Sequence, residues 1–98
     1  FTIPSLSLDW VFLFKKMNIN SDINLALYEF TNGDKKKAYK KLIEIFENNQ
    51  DSDQLRFNIA VVEQSLDLNE KAKKNYKFLI KKNNNLKAII NLYLLYIL

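Results

Sequence analysis

The stretch from Asn24 to Asn83 is written twice, at an interval of 34 residues. The shift carries Asn24 to Asn58, Leu25 to Ile59, Ala26 to Ala60, Leu27 to Val61 and Glu29 to Glu63. Further along it carries Lys37 and Ala38 to Lys71 and Ala72, Leu42 to Tyr76, Ile45 to Leu79, Phe46 to Ile80 and Asn49 to Asn83. Self-similarity at a fixed period of this size marks a repeat architecture. Each unit is too small to bury its own apolar face, so neighbouring units must stack to build a core. The chain is therefore constrained to an arrangement in which residues 34 apart do equivalent work.

Composition narrows the kind of unit. One Gly and one Pro in 98 residues leave few turns, which favours helices over sheet. Nearly half the residues are hydrophobic, too many for a chain that stays unfolded. The absence of Cys excludes disulfides, thiolate zinc sites and thiol chemistry, but fits a reducing compartment and a cell envelope equally well. The formal charge of +4 rests on lysine, with Arg56 as the single arginine. Such a balance admits anionic partners. It is also what an AT-rich coding sequence produces, given the abundance of Lys, Asn and Ile. The chain opens on Phe1 rather than Met and closes inside an apolar run, Asn91 to Leu98, which reads as a processed product or a piece of a longer chain.

Taken in order, residues 1–18 form a lead-in with Pro4 and a short apolar helix, Trp10 to Phe14, that Asp9 can cap. That run is too short to cross a bilayer, and its ordinary use is packing onto the repeats. The first unit, residues 19–52, opens at Ser21 or Asp22 with a helix to about Asn32. Gly33 follows, where a left-handed residue ends a helix, and Asp34 then caps a helix to about Asn48. Ala38, Leu42, Ile45 and Phe46 make one apolar stripe on it. The second unit, residues 53–86, pairs a helix over about 53–65, capped by Asp51 or Ser52, with one over about 70–82, capped by Asn69. Its stripe is Ala72, Tyr76, Leu79 and Ile80. Residues 87–98 complete a final helix, apolar almost all round, that belongs to a partial third unit or a cap. A helix of that kind is buried on more than one side or continues into further chain.

These residues resemble the tetratricopeptide repeat, a 34-residue pair of antiparallel helices, A and B. The family places a small residue in each helix, twelve apart, where the two approach closely. Ala26 with Ala38 and Ala60 with Ala72 match that pattern. Leu25 and Ile59 match the large apolar residue before the first small one, Leu42 and Tyr76 the bulky residue after the second, and Gly33-Asp34 the usual turn. The departures are Glu29 and Glu63 for an aromatic residue, Gln50 and Asn84 for the linking Pro, Asp67-Leu68 for Gly-Asp, and Leu94 for a small residue. The resemblance covers residues 19 to 86 and implies an all-α solenoid of antiparallel helix-turn-helix repeats with about six helices in all.

It also implies a function: a scaffold whose A helices line a concave groove that holds a peptide or helix of another protein. Carried over position by position, the groove comprises Ile23, Leu27 and Phe30 from the first unit and Phe57, Val61 and Gln64 from the second, with Asn24 and Asn58 beside them to orient a bound backbone. The lysine clamp by which one subclass grips acidic chaperone tails is absent, since Ile23, Phe57, Asn91 and Leu92 stand at its cationic positions. An apolar groove suits an amphipathic helix or extended segment, unless the chain's own terminal helices already cover it. The alternative is a basic module holding RNA or an anionic membrane through lysines 35–37, 40 and 41 and 71, 73, 74, 77, 81 and 82. One Arg gives little capacity for bidentate base reading, and a solvated outer face explains the lysines more simply, which disfavours nucleic acid. A tail anchor beginning at Asn91 is a third reading. With no His and no Cys and a single Gly, the sequence offers no metal site, cofactor loop or catalytic group, so an enzyme is not expected. Glu29 and Glu63, at one repeat position, are expected to bond adjacent helices.

Overall fold

The computed structural model describes residues 21–97, and the helix expected over Trp10 to Phe14 lies outside them. Among the described residues there are five α-helices and no strand: α1 over residues 21–32, α2 over Lys35–Glu47, α3 over Asp53–Ser65, α4 over Asn69–Asn83 and α5 over Leu86–Ile97. The four helices of the two units fall where the periodicity puts them.

Local chemistry sets the boundaries. Asp34 caps α2 by accepting hydrogen bonds from the Lys36 and Lys37 amides at 3.0 and 3.2 Å. Of the two residues expected to cap α3, Ser52 does so, its Oγ accepting from the Leu55 amide at 3.2 Å. Asn85 caps α5 through the Ala88 amide at 3.0 Å.

Two expectations fail here. Asn69 does not cap α4: it is the first residue of that helix, and Leu68 precedes it with no side-chain cap. The cause lies in the preceding helix. The Leu68 amide donates to Glu63 O and the Asp67 amide to Gln64 O, the paired bonds of a Schellman ending, and Ala72 N already returns to Leu68 O. The turn is so short that one residue closes α3 and opens α4.

Nor does Gly33 adopt the left-handed conformation, which Asp67 (φ 61°) and Asn84 (φ 52°) take instead. Gly33 serves close approach. A Cβ there would stand 2.8 Å from Glu29 Oε1, and that carboxylate accepts from the Asp34 amide at 3.2 Å.

Two buried clusters hold the helices together. Ala26 of α1, Leu42 of α2 and Leu55, Ile59 and Val62 of α3 form the first. Ala60 of α3, Ala72, Tyr76 and Leu79 of α4 and Ala88 of α5 form the second. Helix α3 thus faces both ways, while α2 packs on α3, α4 on α3 and α5 on α4. Small residues at Ala38, Ala60 and Ala72, all without accessible surface, are what let the helices meet so closely.

Of the two expectations for the all-round apolar α5, burial on more than one side is not met among the described residues. Ala88 is its one fully buried residue, with Leu92 and Leu95 partly buried against the second cluster. The opposite side is open among the described residues, because α4 covers one face and no described element covers the other.

Candidate partner-binding surface

The groove positions begin on α1. Ile23, Leu27 and Phe30 are half-buried against the first cluster, and Asn24 beside them is exposed. Lys35 Nζ lies 5.6 Å from the centre of the Phe30 ring. On α3, Phe57 packs on the second cluster, its ring tilted at 55° to that of Tyr76 with centroids 5.9 Å apart. Asn58 accepts a hydrogen bond from Gln54 Nε2 at 3.0 Å, and Val61 is half-buried outside both clusters. The structure therefore divides the seven residues. Three share the first cluster, Phe57 belongs to the second, and Asn24, Asn58 and Val61 are committed to neither.

Between the two clusters lies a polar network reaching across three helices. Glu63, only 3% exposed, accepts from Tyr39 Oη of α2 at its Oε2 and from Asn75 Nδ2 of α4 at its Oε1, both at 2.7 Å. Asn75 Oδ1 in turn accepts from Arg56 Nη1 at 3.1 Å. The Arg56 guanidinium lies 3.8 Å from the Phe78 ring centre and 4.9 Å from that of Phe46. Burial pushes the Tyr39 hydroxyl above its ordinary range, and the hydrogen bond to Glu63 and that residue's charge push it the same way. Tyr39 is thereby held as a proton donor. The bonding expected of Glu63 is present, whereas Glu29 uses its carboxylate on the Asp34 backbone.

A second tie joins α3, α4 and α5. Tyr76 Oη donates to Gln64 Oε1 at 2.9 Å and accepts from Asn91 Nδ2 at 3.3 Å. Burial raises the Tyr76 hydroxyl, the Asn91 bond works against that rise, and the Glu63 charge adds to it.

Two open surfaces were not legible as sites. One is a cleft of about 490 Å³ between α1 and α2, with Leu25, Ala26 and Ala38 inside and Glu29, Lys37, Lys40, Lys41 and Glu44 around them. Leu25 is 65% exposed although its repeat partner Ile59 is 2% exposed. Ile59 is covered by the unit before it, and no described residue stands in that place for Leu25. The other is the free side of α5, where Leu86, Ile89, Ile90, Tyr93, Leu94 and Ile97 are 37–68% exposed. The all-round apolar pattern of Leu86 to Leu98 was the signal for it.

The lysines stand mainly in solvent. Those of α2 are exposed, as are Lys71, Lys74, Lys77, Lys81 and Lys82 of α4. Lys73 Nζ contacts Glu70 at 3.4 Å and lies 4.9 Å from the Tyr96 ring centre, while Lys82 pairs with Asp53 at 2.9 Å. Tyr76, with no accessible surface, offers no stacking platform. Among the described residues, no three His, Asp, Glu or Cys side chains gather where a metal could sit, and no helix is long and apolar enough to cross a membrane. Comparison with protein-family models, with curated proteins and with solved structures returns no match.

Proposed function

We propose that the chain is a protein-interaction module of the tetratricopeptide type, a scaffold of stacked helical hairpins that holds a peptide or helix of another protein. The observation that carries this reading is apolar surface that the core covers only in part. Ile23, Leu27, Phe30, Phe57 and Val61 recur on α1 and α3 and remain half-open, while the cluster residues beside them are closed to solvent. Apolar surface left partly open on neighbouring helices of a small domain marks interaction sites. In this reading Asn24 and Asn58, one repeat apart, orient a bound backbone through their amides.

A selection of displayed peptides tests it. Val61→Glu with Asn24→Ala makes a suitable variant, since neither side chain belongs to a buried cluster. Peptides enriched by the wild-type chain should be retained by Lys73→Glu/Lys74→Glu/Lys77→Glu and lost by the groove variant, with binding steady between 50 and about 200 mM salt. The exposed lysines of α2 and α4 sustain one alternative, a basic helical module for RNA or an anionic membrane. Retention of RNA or anionic vesicles that collapses over the same salt range, and only in the lysine variant, would replace the first reading with the second.

A further inference from the structure

We infer that the open side of α5 is a docking surface for a second copy of this chain, paired α5 against α5 about a two-fold axis. The six exposed residues Leu86, Ile89, Ile90, Tyr93, Leu94 and Ile97 recur at steps of three and four, the spacing of a helix-pairing seam. The opposite side of the helix, Ala88, Leu92 and Leu95, is spent on the second cluster, so α5 carries two apolar faces and, among the described residues, uses one.

Three properties select the occupant. The first is area. Six large apolar side chains at this exposure offer roughly 600 Å² to a partner, which doubled reaches the lower bound of about 1,200 Å² for a specific interface.

The second is charge. Lys87 is the one charged residue of α5 and does not belong to the seam, so the seam itself sets no charge against a like charge. Head-to-tail docking would press the same apolar seam among Lys37, Lys40, Lys41, Glu29 and Glu44 around the cleft on α1 and α2, desolvating charges of both signs that no group of the seam can meet. The third is shape. Leu94 occupies the position held by Ala26 and Ala60, which excludes the close helix approach of the two hairpins and suits the wider spacing of interlocked large side chains. A two-fold pairing is isologous, using one patch twice.

This proposal is independent of the groove reading, and the test keeps the two apart. Sedimentation equilibrium of the 98-residue chain across about 5 to 500 µM should show its mass rising from 11.6 kDa to twice that value. Ile90→Glu with Tyr93→Glu should hold it at one copy while circular dichroism stays helical, and Val61→Glu with Asn24→Ala should leave pairing unchanged. Because the chain has no Cys, Tyr93→Cys should form a disulfide-linked dimer on mild oxidation, and Lys36→Cys on α2 should not. A chain that stays single at every concentration overturns the proposal, including one that floats with phosphatidylcholine vesicles instead. So does growth beyond two copies that Leu25→Glu abolishes, which is head-to-tail stacking, and so does equal cross-linking of the two cysteine variants.

Discussion

Glu63 is the residue whose environment departs furthest from its type. A carboxylate at 3% exposure with two donors at 2.7 Å is tolerable because both oxygens are used. Removing it leaves the Tyr39 hydroxyl and the Asn75 amide unpartnered, so Glu63→Ala should lower unfolding free energy by about 2–4 kcal/mol in urea melts. Glu63→Gln keeps one acceptor oxygen and should cost less than Glu63→Ala in the same melts. The sign of the pH effect follows from Tyr39, whose folded-state pKa lies above its unfolded value. A raised pKa stabilises fully below the unfolded value near pH 10 and is lost as pH rises above it, at no more than about 1.4 kcal/mol per pH unit. Lysines titrate there too, so the quantity to measure is the difference between wild type and Tyr39→Phe at pH 8, 10 and 11, which should narrow with pH. Gly33 makes the opposite case. With no left-handed backbone to protect, Gly33→Ala should move stability by less than about 1 kcal/mol, the displaced Glu29 carboxylate offset by a less flexible unfolded chain.

Among the elements, the close helix approaches carry the largest risk. Ala60 and Ala72 share a cluster with Tyr76 and have no accessible surface, so Ala72→Leu forces apart α3 and α4. It should cost about 1–3 kcal/mol or more and broaden side-chain signals in NMR spectra. The helices themselves were largely readable. Apolar stripes on α2 and α4, with Asp34 before one and Ser52 before the helix between them, place three elements to within a residue or two. The links between helices were not. Tyr39 and Asn75, the partners of Glu63, lie 24 and 12 residues away and have no repeated counterparts: one shift of 34 turns Tyr39 into Lys73, and the reverse shift turns Asn75 into Lys41. The same glutamate in the first unit therefore meets different neighbours, and a repeat pattern cannot announce a contact it does not repeat. Left-handed turns were misassigned for a related reason. The single glycine drew that assignment, yet the short α3–α4 turn and the end of α4 demanded it of Asp67 and Asn84.

At the scale of the whole molecule, stability is local and shared between neighbours. The groove set rests on analogy of position, and the structure splits it between two clusters because Phe57 and Leu27 pack toward different halves. Among the described residues only α3 belongs to both. Helix α1 can open without exposing the second cluster, and α5 can open without exposing the first, whereas any opening of α3 dissolves both at once. In the dilute, unpaired chain, protection against deuterium uptake should accordingly be graded, with the amides of α3 exchanging slowest, those of α2 and α4 at intermediate rates, and those of α1 and α5 first.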